Sequence, residues 1–192
     1  MSVLVVLFLT AVLALFSGVY NQGKFARYIG ILGLLVALCV SFSPELAFFN
    51  QYKSMFDFNE NAALFTKISL VVTLLIFFLG GFAFNNHRSH QSELYSLMLF
   101  SLIGAVILFS FTNLVTLFLG IEILSIPLYV MAGSNKTDLR SNEASIKYFL
   151  MGAFATGFLL FGIALIYGST GSFDVHIINT FSVANPKDLM FV

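Results

Sequence analysis

From Leu94 to Met131 the chain is almost continuously apolar, and Glu122 is the one charged residue in the run. As a single helix it would be ~57 Å long at ~1.5 Å per residue, about twice the ~30 Å hydrocarbon core of a bilayer. The run must therefore double back. Thr112 and Asn113 form the only polar pair near its middle, so a tight hairpin is expected there, with two helices packed antiparallel. The whole chain has the same character: its 192 residues are 59% hydrophobic and 9% charged, where a soluble domain is about a quarter charged. No water-soluble core of this size hides so much apolar surface. The surrounding medium is lipid.

Six stretches match the ~20 apolar residues that a helix needs to cross a bilayer. They are residues 2–20, 25–42, 62–84, 94–111, 114–131 and 145–167. The first has no basic leader and no small-residue cleavage site, so it reads as a retained helix and not a signal peptide. The fold class is thus an all-α, multi-pass membrane protein with about six transmembrane helices. Residues 168–192 are turn-rich and then apolar again, which reads as a connection into a seventh helix and a chain that continues. Within the outer connection, Met55–Phe58 alternates apolar and polar, the pattern of a strand or an interfacial turn.

Charge in the connections sets the orientation. Lys24, Arg27, Arg88, Lys136 and Arg140 fall on one side of the membrane, five basic residues against Lys53 and Lys187 on the other. The first set is expected to be cytoplasmic and the amino terminus outside. The formal net charge is zero, so no basic field draws nucleic acid. No CxxC, P-loop or clustered metal-ligand pattern is present. The single Cys39 lies in an apolar run and is expected to be a small buried hydrophobe. His87 and His90 share a short connection and read as solvated, two histidines being too few for a metal site. No cofactor or metal is expected in this chain.

Four residues carry candidate chemistry. Glu122 lies near the centre of the fifth stretch, where an ionised carboxylate costs ~2.5–3.5 kcal/mol on insertion scales. It can take up a proton, or pair with a cation across a helix interface. Either makes it a proton-exchange candidate, with an interhelical hydrogen bond as the structural alternative. Pro127 removes a helical hydrogen bond to the carbonyl of Ile123, which leaves a kink or a hydrated spot beside the acid, or a packing kink alone. Lys147 sits one and a half turns into the sixth stretch, where it either snorkels to the headgroups or serves as counter-charge to Glu122, directly or through water. Glu143, four residues earlier, is placed to pair with Lys147. Lys67, at the start of the third stretch, reads as a snorkelling lysine. Ala153 and Gly157, four apart, form a small-residue face suited to close helix approach.

The segments "LVTLFLGIEILSIPLYVMAG" and "SNEASIKYFLMGAFATGFLLFGIALIYGSTGS" resemble those of subunit N of bacterial NADH–quinone oxidoreductase, complex I. The likeness is dense from Asn113 to Ser172 and extends to "FDFNENAALFTK" before the third stretch. The resemblance implies a fourteen-helix antiporter-like fold, of which this chain would be the first part. It implies a proton-translocating membrane subunit in the bacterial inner membrane, partnered by other complex I membrane subunits, including antiporter-like paralogues. Glu122 and Lys147 match family residues thought to move protons. NADH, FMN, iron–sulfur clusters and quinone would belong to other subunits. Two alternatives stay open on the residues alone: a subunit of a multi-component cation/proton antiporter, and a structural membrane scaffold.

Overall fold

The computed structural model describes residues 2–19, 23–43, 55–83 and 91–184. The expectations for Lys53, His87, Arg88, His90 and Lys187, for the Lys24 side chain, and for most of the outer connection lie outside the described residues. The described chain is helical almost throughout: α1 (Ser2–Val19), α2 (Gly23–Ser41), α3 (Glu60–Ala83), α4 (Gln91–Ser110), α5 (Leu114–Ala132), α6 (Leu139–Thr170) and α7 (Val175–Ala184). Among them α3, α4, α5 and α6 are long and apolar enough to cross a membrane, while α1 and α2 carry shorter apolar stretches, Ser2–Gly18 and Phe25–Ser41.

α4 is the central helix. It packs against α1, α2, α3 and α5, and more than half of its apolar window is buried. Its Tyr95, Leu99, Leu102, Ile103, Val106 and Ile107 meet Leu7, Ala11 and Ala14 of α1, Leu34 of α2 and Leu70 and Phe77 of α3 in one core. Because lipid offers no hydrophobic drive between helices, close packing and interhelical hydrogen bonds must hold them. Both occur here. Ser96 donates to the Ala11 carbonyl across the α1/α4 seam at 3.0 Å, and the Arg27 guanidinium of α2 lies beside the Tyr95 side chain. At Gly104 a methyl group would stand 2.7 Å from the Leu124 Cα of α5, so only glycine admits this approach of two backbones.

The hairpin between α4 and α5 falls at Thr112–Asn113. Asn113 caps α5, its side chain accepting from the Val115 amide at 2.9 Å. The hairpin is also the centre of a small β patch. On one side Phe56 bridges Phe111, with Asp57 N–H donating to Ser110 O and Thr112 N–H to Met55 O. On the other side Asn113 bridges Asp174, with Leu114 N–H donating to Phe173 O and Val175 N–H to Thr112 O. The alternating Met55–Phe58 segment is thus a short extended strap laid along the turn. Asn113→Ala should destabilise the folded protein by about 1 kcal/mol, the usual loss for an N-cap; a fall in the thermal unfolding midpoint of the detergent-solubilised protein measures it.

Several local expectations are corrected. Cys39 is exposed on α2, because its position faces away from the α1/α4 side that buries Leu34 and Ala37. α6 begins at Leu139, six residues before the expected start at 145, since Asp138 caps it by accepting from Arg140 N–H; a hydropathy window does not register that polar first turn. It ends where Gly171 takes the left-handed conformation at φ 69°. Beyond it, part of the expected connection forms α7. A methyl group at Gly157 would meet nothing within 4 Å, and Ala153 is exposed, so that small-residue face packs against nothing among the described residues.

Candidate functional site

The site is the seam between α5 and α6. The last four carbonyls of a helix have no partner inside it, and in α5 all four are satisfied. Gly133 N–H donates to Val130 O and Ser134 N–H to Met131 O. From α6, Ser145 Oγ donates to Tyr129 O at 2.8 Å and Ser141 Oγ to Ala132 O at 2.7 Å. These two hydroxyl bonds fix the register of the antiparallel pair. Aromatic contacts reinforce it: Tyr129 meets Tyr148 and Phe149 edge-on, with ring centroids 4.7 and 5.9 Å apart.

Along α5, Glu122, Ser125 and Tyr129 follow one another at three- and four-residue steps and so share a face. Tyr129 is 8% exposed and Ser125 is buried. Ser125 Oγ donates back to the Ile121 carbonyl within its own helix. Glu122 is half-buried, and among the described residues it has no hydrogen-bond or ion-pair partner. Pro127 is buried, and α5 runs through it as one helix; residue 127 has no N–H to offer the Ile123 carbonyl. The stripe thus holds an unpaired carboxylate, a serine and a tyrosine, and Pro127 lies off it, on the side of α5 that Gly120 turns toward α4.

Lys147 does not join it. Its ammonium is paired with Glu143 one turn earlier on α6, and both side chains are exposed, at 70% and 63%. Register gives the reason. With Gly133 against Ser145, Glu122 is level with Thr156, nine residues from Lys147 and ~13 Å along the axis. Side chains lean toward the amino terminus of their own helix, so in an antiparallel pair Glu122 and Lys147 lean apart. Direct contact between them is excluded in this arrangement. The Glu143–Lys147 pair follows the i, i+4 rule and, being exposed, contributes at most a few tenths of a kcal/mol. Lys67 places its ammonium 4.5 Å from the centre of the Phe42 ring, which holds it at the edge of the α2/α3 pair. Among the described residues no group of three potential metal ligands occurs.

Ser125, Tyr129, Ser141 and Ser145 escaped the sequence reading. Ser141 and Ser145 carried a usable signal, two hydroxyls one turn apart at the start of a helix that follows a short connection.

Apolar helices stitched by backbone and hydroxyl bonds, with an unpaired acid on an interhelical face, define an all-α, multi-pass membrane protein. Residues 111–192 match the family described as NADH:quinone oxidoreductase/Mrp antiporter, transmembrane. The chain is 44% identical over 160 residues to NADH-quinone oxidoreductase subunit N of Cytophaga hutchinsonii, covering 82% of this chain and 34% of the relative. It is 38% identical over 184 residues to the subunit N of Flavobacterium psychrophilum, covering 94% and 40%. Its fold is similar to a chain of respiratory complex I from Thermus thermophilus, with a TM-score of 0.69 and 29% identity over 90% of this chain and 38% of that one. An archaeal membrane-bound sulfane sulfur reductase shares the fold, with a TM-score of 0.70 at 23% identity. Over most of its length the chain is thus similar to antiporter-like membrane subunits, among them subunit N of NADH-quinone oxidoreductase. It spans between a third and two fifths of the length of these curated relatives.

Proposed function

We propose that the chain is part of a proton-translocating membrane subunit of NADH–quinone oxidoreductase, seated in the bacterial inner membrane with its amino terminus outside. The observation that carries this is Glu122, a carboxylate without a partner among the described residues, on the α6-facing side of a membrane-spanning helix. An acid left unpaired at that depth is costly unless it is used. Glu122 takes up a proton from water, becomes a neutral acid, and releases the proton when its surroundings change. Pro127 leaves a carbonyl at Ile123 that water can solvate. Lys147 is a separate station nearer the cytoplasmic face, with Glu143 holding its ammonium until a proton or another acid draws it away. Electron transfer, with NADH, FMN, iron–sulfur clusters and quinone, takes place in partner subunits. The partners include antiporter-like membrane subunits of the same complex.

A second reading is favoured by the family description, which also covers Mrp antiporters: the same residues serving cation/proton exchange driven by a gradient. Affinity purification of the full-length subunit from its native membrane separates the two. Co-purified NADH dehydrogenase subunits with NADH-driven quinone reduction are expected. Recovery with antiporter subunits alone, and no NADH oxidation, would replace the first reading by the second.

A further inference from the structure

The Tyr129 hydroxyl has an unusual seat. A methyl group at Gly152 would lie 2.5 Å from Tyr129 Cζ and closer still to the phenol oxygen. The phenol tip therefore occupies a notch in α6 that exists because residue 152 has no side chain. The Tyr129 ring is enclosed, while its hydroxyl oxygen keeps some accessible surface and has no hydrogen-bond partner among the described residues, which leaves it open to water. Ring packing against Tyr148 and Phe149 would be served equally by phenylalanine, so packing does not explain the oxygen.

Its position suggests a use. The register of the seam places Gly152 level with residue 126 of α5, so the phenol oxygen stands about one turn, ~6 Å, from the level of the Glu122 backbone, and the carboxylate leans on from there toward the α5 amino terminus. It stands on the side of Glu122 that leads toward Lys136 and Arg140. A short chain of waters would span such a gap.

We propose that Tyr129 is a proton-relay residue between that membrane face and Glu122, held in line by the Gly152 notch. This rests on the proton-exchange reading of Glu122. The phenol oxygen accepts a proton from a hydronium on the Lys136 side, leaving a neutral water, as its own hydroxyl proton passes to a water on the Glu122 side. The second water then protonates the carboxylate. The phenol ends neutral with one proton, as it began, and resets by rotating its O–H bond.

The test uses the full-length subunit in its assembled complex, reconstituted into vesicles, with rates taken per assembled complex. Tyr129→Phe keeps the ring and removes the oxygen. NADH-driven proton uptake is expected to fall about 10-fold, less than the ~10²-fold typical for loss of an acid–base group, because water partly substitutes. Its solvent deuterium isotope effect should rise as transfer along the seam becomes limiting, a change that a packing role would not produce. Gly152→Ala keeps the oxygen but displaces it, and should slow uptake in the same sense; the double variant should be no slower than the slower single one. Wild-type rate and isotope effect in Tyr129→Phe overturn the relay, including when Gly152→Ala alone is slow, since the notch then serves packing. Glu122→Gln in parallel separates the two ideas. If it abolishes uptake while Tyr129→Phe is normal, only the relay fails; if it is silent, the proton-exchange reading fails and the relay with it.

Discussion

Glu122→Gln in the full-length subunit is expected to reduce proton uptake through this subunit by about 10²-fold, the scale for removing a single acid–base group, with assembly intact. Glutamine keeps the shape and a hydrogen-bonding head but cannot exchange a proton. The expectation on stability has the opposite sign from that of a structural residue. Breaking a buried ion pair strands a charge and destabilises by ~3–5 kcal/mol. Here no partner of Glu122 occurs among the described residues, and a neutral amide also removes the ~2.5–3.5 kcal/mol penalty of an ionised group at this depth. The thermal midpoint should therefore stay level or rise. NADH-driven acidification of vesicles, measured beside a melting curve, reads both. Unchanged pumping would end the proton-site assignment, and lost assembly with normal coupling would make the residue a packing element.

Gly104→Ala should be the most damaging single methyl in the α4/α5 pair. Its new carbon would stand 2.7 Å from Leu124 Cα and 2.8 Å from Leu124 Cβ, and backbone cannot rotate away as a side chain can. The helices must separate, and α4 is already fixed on its other faces by the core against α1, α2 and α3. Overpacking of this kind costs ~1–3 kcal/mol. The shift also reaches function, because Leu124 is two residues from Glu122. Gly120→Ala is the internal control: its methyl would meet the end of Leu108, at 2.9 Å from Cδ2, and the Ile107 methyl at 3.0 Å, which can give way. Detergent melting of tagged protein should show a clear drop for Gly104→Ala and a small one for Gly120→Ala. Equal midpoints would refute the close backbone approach.

How much of this was readable from residues alone follows from the range of each interaction. The α4/α5 hairpin was legible because length against bilayer thickness forces it and Thr112–Asn113 is the only polar break. The Glu143–Lys147 pair was legible because i, i+4 spacing is local. The early start of α6 was not, because Asp138 and a polar first turn carry no hydropathy. The exposure of Cys39 was not, because an apolar residue in a membrane helix faces lipid as readily as a core. The separation of Glu122 from Lys147 was out of reach for a deeper reason. It depends on the register of two helices, set by Ser141 and Ser145 bonding carbonyls whose availability appears only once α5 ends at Ala132. Tyr129 looked like one more aromatic until the missing side chain at Gly152 gave its oxygen a place.

The β patch at the α4/α5 turn has a mechanical consequence. The entrance of α5 is gripped from both sides by backbone bonds, to Met55–Asp57 on one flank and Phe173–Val175 on the other. Its exit is held to α6 by two serine hydroxyls. Between these unequal anchors lies Pro127, where one rung of the helix is missing. Any flexing of α5 at that rung must leave the gripped end still and swing the other, carrying the first turns of α6 along. The helix is built as a cantilever: Glu122 sits on its fixed arm, and Tyr129 rides on the moving one.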